Sequence, residues 1–123
     1  MNILGIDYGT KRIGLAISIN GVISPILPIK NDCDKYNNIL KVIKAESIDK
    51  IFVGICEGDF AKKTQKFVSR LQGMVNLEVE TVEEAVSTIE ADEIYKLNKK
   101  SKKKYKSLID SIAAAVILRR IIN

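Results

Sequence analysis

The sequence predicts an α/β domain on one five-stranded mixed sheet: an antiparallel three-strand meander, then parallel strands separated by helices. Three observations carry this reading. Asn20-Gly21 separates two β-rich runs, and that dipeptide is the strongest short-range hairpin signal because both turn positions need φ > 0. The apolar run Ile51-Phe52-Val53-Gly54-Ile55 follows a helical segment, the pattern of a strand lying parallel to the first. No internal repeat or linker interrupts the 123 residues, so residues 1–123 are expected to form one domain.

The elements follow in order. Residues 2–7 form a short apolar first strand that delivers Asp7, and the chain turns at once through Gly9. Residues 11–19 and 22–29 are the two arms of the hairpin. Pro25 and Pro28 place the third strand at a sheet edge, where missing donors cost nothing. Asp34 can cap a helix running to about Glu46, with Ile39, Leu40, Val42 and Ile43 on its buried side. After the central strand, a helix over residues 60–71 presents Phe60, Thr64, Phe67, Val68 and Leu71 on one face, with Gly73 as its terminator. Leu77-Glu78-Val79-Glu80 alternates as a fifth strand. Two more helices, over residues 87–97 and 108–122, are separated by a lysine-rich loop. In the last helix Ala113-Ala114-Ala115 lets the backbone lie close to the sheet.

Composition narrows the chemistry. A hydrophobic content of 46% with 28% charged residues is that of a soluble globular protein. No apolar run approaches the roughly 18 residues of a membrane span, and the N-terminus has no signal-peptide pattern. A cytoplasmic protein with no membrane partner is expected. Cys33 and Cys56 stand in unrelated contexts and read as reduced, inert thiols. The chain has no histidine, which removes Ser-His-Asp and Cys-His nucleophile activation. Chemistry must come from carboxylates, lysines or a metal-bound water. The net charge of +5 is local: Lys99, Lys100, Lys102, Lys103, Lys104 and Lys106 lie together without an acid, and the remainder carries −1. Such a block can attract a phosphate backbone by counterion release, or be a solvated loop.

Acids stand where elements begin or end. Asp7 is on the first strand, Glu83 and Glu84 follow the last strand, and Asp110 lies in the first turn of the terminal helix. A charge on a buried strand is expensive unless a cation holds it ionised. The bland alternative is an Asp7 that caps the turn at Tyr8-Gly9-Thr10. Strands one, four and five are expected to run parallel, so their C-terminal ends share one rim, the place where ligands bind open α/β sheets. Asp7 and the Glu83-Glu84 pair would converge there, with Asp110 completing the cluster. Ser107-x-x-Asp110, Thr81-x-x-Glu84 and Ser87-x-x-Glu90 also fit capping boxes. Carboxylates that hold hard cations, beside positive charge that holds an anionic polymer, are what metal-dependent phosphodiester cleavage requires.

The segment Ile6-Asp7-Tyr8-Gly9-Thr10-Lys11-Arg12-Ile13-Gly14-Leu15-Ala16 resembles the opening signature of the YqgF/RuvX family. These are RNase H-like proteins described as Holliday junction resolvases or pre-16S rRNA nucleases. Ile109-Asp110-Ser111-Ile112-Ala113-Ala114-Ala115-Val116-Ile117-Leu118 is similar to the family's terminal Asp-x-x-Ala-Ala helix, and Val53-Gly54-Ile55 to its central strand. The resemblance spans nearly the whole chain. It implies an RNase H-like fold with catalytic acids at Asp7, Glu84 and Asp110, which would hold Mg²⁺ or Mn²⁺. Lys11, Arg12 and the lysine block would hold structured RNA such as precursor rRNA, or branched DNA. A monomer or weak homodimer is expected.

Two departures matter. Where the family reads Asp-Glu-Arg-Leu-Thr-Thr, this chain reads Glu83-Glu84-Ala85-Val86-Ser87-Thr88, so the arginine is absent and Glu83 and Glu84 compete for the middle role. Lys11 or Arg12 could supply the missing positive charge. After the central strand the chain reads Cys56-Glu57-Gly58-Asp59 in place of a Gly-x-Pro segment and a longer loop. There Glu57 and Asp59 are either reserve ligands or helix-starting acids. Two other readings stand beside a metal-dependent nuclease. One is a nucleic-acid-binding module of this fold without catalysis. The other is a nucleotide-binding lobe, because Asp-x-Gly-Thr also resembles the phosphate turn of the actin and Hsp70 superfamily; one lobe of 123 residues argues against it.

Overall fold

Asn20 and Gly21 adopt φ of 53° and 81°, the left-handed pair that an Asn-Gly hairpin turn requires. They join strand β2 (Arg12–Ile19) to β3 (Val22–Lys30), which pair antiparallel. The computed structural model describes residues 1–55, 58–83 and 102–122, with the backbone alone at 83 and 102–110. Its remaining strands are β1 (Ile3–Tyr8), β4 (Lys50–Ile55) and β5 (Glu78–Glu83), and its helices are α1 (Lys35–Ala45), α2 (Phe60–Met74) and α3 (Lys102–Ile122).

The five strands form one sheet in the order β3-β2-β1-β4-β5. β1 lies at its centre, antiparallel to β2 and parallel to β4, and β4 is parallel to β5. The C-terminal ends of β1, β4 and β5 therefore share one rim, as the sequence predicts. Pro25 and Pro28 fall on β3, an edge strand, where an absent N–H breaks no interior ladder.

The sheet is covered on both faces. On one, Leu4, Ile6, Leu15, Ile51 and Val53 meet Ile39 of α1 and Phe67, Val68 and Leu71 of α2. On the other, Ala16 and Phe52 meet Ala114, Ala115 and Leu118 of α3. Small residues bring α3 close: a Cβ on Gly5 would stand 2.6 Å from Leu118 Cγ and 3.1 Å from the Ala114 carbonyl oxygen. Tyr8 stacks on Phe67 at 4.3 Å and on Phe60 at 5.7 Å, which ties the end of β1 to α2.

Several boundaries differ from the sequence reading. Asp34 occupies the N-cap of α1 but makes no side-chain cap bond; its own N–H donates to Asp32 Oδ1 at 3.0 Å. Gly73 does not terminate α2, which continues to Met74, because one exposed glycine costs a helix only about 1 kcal/mol. β5 begins at Glu78 and extends to Glu83 along β4, so Glu83 belongs to the strand rather than following it. The largest correction concerns the lysines. Residues 102–107 are the first turns of α3, not a loop, because lysine is a good helix former and nothing from Lys102 to Leu108 breaks a helix. The helix expected over residues 87–97 lies outside the described residues. Among the described residues no helix is long and apolar enough to cross a membrane.

Candidate functional site

Asp7 is the fifth residue of β1, and both of its cross-strand partners are glycines: Gly14 on β2 and Gly54 on β4. Side chains alternate along a strand, so Asp7 projects to the same face as Gly5, the face covered by α3. A Cβ on Gly54 would collide with Ile117 Cδ1, which puts Gly54 on that face too. The half-buried Asp7 carboxylate therefore stands on a rung with no side chain on either side. Over Gly54 the place of a side chain is taken by Ile117, so the glycine lets α3 come down to the rung of the acid at the end of the central strand.

Two contacts fix how α3 lies over this rung. The Ala114 carbonyl sits above Gly5, whose partner on β2 is Ala16. One residue nearer the rim, Leu15 N–H donates to the fully buried Ser111 hydroxyl at 3.3 Å, and Leu15 pairs with Ile6. Passing from Ala114 back to Ser111 thus moves up the sheet toward the rung of Asp7 and Gly14. The backbone of Asp110 continues in that direction, on the same face as Asp7. Because α3 begins at Lys102, Asp110 lies about two turns inside it, not in its first turn, and Ser107 is not an N-cap. The capping-box account of Asp110 is thereby removed.

The other predicted residues are placed as follows. Glu83 ends β5, two strands from Asp7 on the same rim. Glu84, Lys99, Lys100 and Glu57 lie outside the described residues. Lys102, Lys103, Lys104 and Lys106 open α3. Positive charge at a helix N-terminus opposes the macrodipole, so this arrangement does not serve helix stability. Asp59 is the exposed N-cap position of α2 and makes no side-chain cap bond. Lys11 and Arg12 are exposed beside the β1–β2 turn. Cys33 is a free, exposed thiol.

Asn31, which the sequence did not single out, clamps that turn. Its Nδ2 donates to the Gly9 carbonyl at 2.8 Å and its backbone N–H to the Lys11 carbonyl at 2.9 Å, while Tyr8 Oη donates weakly to its Oδ1 at 3.4 Å. The segment between Asp7 and Arg12 is thus held from the end of β3. A polar residue just after an edge strand was the only signal available.

The donor chemistry suits a hard divalent cation. Asp7, Glu84 and Asp110 offer oxygen ligands of the kind Mg²⁺ and Mn²⁺ prefer, and the chain has no histidine. Among the described residues no three acidic or cysteine side chains gather as a metal-binding group; the Glu84 and Asp110 carboxylates are not among them.

The model of the RuvX family, described as Holliday junction resolvase, matches residues 1–123. A protein of Endomicrobium trichonymphae named as a pre-16S rRNA nuclease is 34% identical, over 95% of this chain and 91% of its own length. One of Halothermothrix orenii with the same name is 32% identical, over 100% of this chain and 95% of its own. Among solved structures, the Fowlpox virus resolvase in complex with Holliday junction DNA superposes with a TM-score of 0.61. It covers 99% of each chain at 15% identity, a likeness of fold. The RNase H-like architecture expected from the sequence is the one observed.

Proposed function

The chain belongs to the RuvX family, and from that premise we propose that it is a nuclease that hydrolyses phosphodiester bonds in structured RNA, acting at the 5′ side of precursor 16S rRNA. The observation that carries the site is the bare rung at Asp7 with the backbone of Asp110 approaching it on one face. Asp7, Glu84 and Asp110 would hold Mg²⁺ or Mn²⁺. A divalent ion there would supply the Lewis acidity that phosphodiester hydrolysis needs at neutral pH.

The chain's own part is positional. Asp7 is presented by the central strand, tied down by the Tyr8 stack on one face and by α3 on the other. Lys11 and Arg12, on a turn clamped by Asn31, would hold the phosphate backbone without reading bases. The lysines from 99 to 106 would extend that grip, and bound phosphate would relieve the conflict of Lys102, Lys103, Lys104 and Lys106 with the α3 dipole. With Ala85 where the family has arginine, Lys11 and Arg12 supply the cations nearest Asp7 in sequence. The relatives named as nucleases favour catalysis over a purely binding role.

The test is cleavage by purified protein with Mg²⁺ or Mn²⁺, using a precursor 16S rRNA 5′ leader and a four-way DNA junction side by side. The leader is expected to be cut. Asp7→Asn and Asp110→Asn are expected to lose at least about 100-fold in rate, the scale of losing a principal electrostatic group, while binding persists. Cleavage of the junction alone would reassign the substrate. Failure of the wild-type protein to cut either would overturn the reading.

A further inference from the structure

Ser111 is fully buried, yet it is polar and follows directly on Asp110. Its hydroxyl accepts the N–H of Leu15 at 3.3 Å, a contact between residues 96 positions apart in the chain. In a regular sheet a backbone amide lies in the sheet plane, directed at the neighbouring strand. Here the β2–β3 ladder slips: Ile13 pairs with Ile29 but Leu15 pairs with Ile26, so Gly14 faces an extra residue on β3. Such a bulge bends the ladder locally. Leu15 N–H, at the edge of that slip, is directed to a helix lying on the sheet face. Apolar contacts also seat α3: Leu118 and the Ala114 turn over Gly5, and Ile117 over Gly54. Apolar packing tolerates small slides along the helix axis, whereas a hydrogen bond with one buried donor and one buried acceptor does not.

We propose that Ser111 is a positioning residue: by accepting the Leu15 amide at the β2–β3 bulge, it sets the axial position of α3 and so the place of Asp110 relative to Asp7. This rests on the nuclease reading given above, in which those two acids share a divalent ion. Gly14 contributes twice. It is the bare partner of Asp7, and it is the residue across which the ladder slips. The ladder slip and the hydrogen bond to the helix thus meet at one place on β2, beside the partner of Asp7.

The test uses the full chain with Ser111→Ala, which removes the acceptor, and Ser111→Cys, near in volume but a poor acceptor. Three readouts are taken on variants shown folded by circular dichroism: Mn²⁺ affinity by electron paramagnetic resonance without nucleic acid, kcat against KM, and hydrogen exchange of the Leu15 amide. Ser111→Ala is expected to weaken Mn²⁺ binding at least fivefold, lower kcat about tenfold with KM within twofold, and lose Leu15 protection. Ser111→Cys should shift all three the same way by less. A hydroxyl serving stability alone would leave Mn²⁺ affinity and kcat unchanged in the folded variants, and that result overturns the proposal. Failure of both variants to fold even at 10 °C also overturns it, making the hydroxyl a stability element. Asp7→Asn run alongside separates the two ideas. Its loss of cleavage with unchanged Ser111 variants sinks only the positioning role. A wild-type protein that neither cleaves nor binds Mn²⁺ sinks the nuclease reading and this proposal with it.

Discussion

Asp7 and Gly14 stand opposite each other on neighbouring strands, with Gly54 closing the rung on the other side. Directly opposed residues place their Cβ atoms about 4.5–5.5 Å apart, so any side chain at residue 14 would stand against the carboxylate. Gly14→Leu is expected to abolish cleavage and weaken Mn²⁺ binding more than tenfold, while the circular dichroism spectrum keeps its shape. A variant that cleaves at the wild-type rate would show that the glycine is not required there.

Gly5 and Gly54 both lie under α3, but what they meet differs. At Gly5 a methyl group would press on Leu118 Cγ and on the Ala114 carbonyl, a backbone atom that cannot step aside. At Gly54 it would meet Ile117 Cδ1, the movable tip of a side chain. Gly5→Ala is therefore expected to cost about 1–3 kcal/mol, the range for overpacked cores, and Gly54→Ala less. Urea unfolding midpoints of the two variants decide this, and equal midpoints would contradict the helix seating described here.

Asn31→Ala removes the 2.8 Å bond to the Gly9 carbonyl and leaves the turn between Asp7 and Arg12 held by backbone contacts. The stability loss should be small, about 0.5–1.5 kcal/mol for one such bond. The larger effect is expected on substrate binding, with KM raised severalfold and kcat changed little, because Lys11 and Arg12 ride on that turn. A fall in kcat with KM unchanged would place Asn31 in a different role.

Burial raises the Tyr36 phenol above the ordinary tyrosine value of 10.0; the nearby Tyr8 phenol adds to this and Arg70 opposes it. The fold thus favours the protonated form. Its contribution to stability is complete below the unfolded value and is lost as pH rises from there through the folded value. Stability should accordingly fall on the alkaline side of pH 10, with no effect of this group at neutral pH. Arg70→Gln should push the tyrosinate transition higher and Tyr8→Phe should lower it, as read by ultraviolet titration.

What was legible in the sequence was local or periodic. Asn20-Gly21 specified its turn because two positive φ angles leave few residue choices, and Pro25 and Pro28 named an edge because they lack donors. The shared rim follows from strand directions, which bring Asp7 and Glu83 to one edge of the sheet. The start of α3 is not legible, because charge repulsion among the lysines and their helix propensity point in opposite directions. The Leu15–Ser111 bond was beyond reach, since it depends on a register slip opposite Gly14 and joins distant parts of the chain. Asn31 was missed for a similar reason: its partners are backbone carbonyls, which leave no mark on side-chain patterns.

The distance in sequence between Leu15 and Ser111 has a bearing on when the molecule can act. Contacts of such span carry a high loop-closure cost and tend to form late in folding. In the proposed mechanism α3 must dock before Asp110 can join Asp7, so a chain with that helix undocked would not cut its substrate. Competence to cut would then report completed folding.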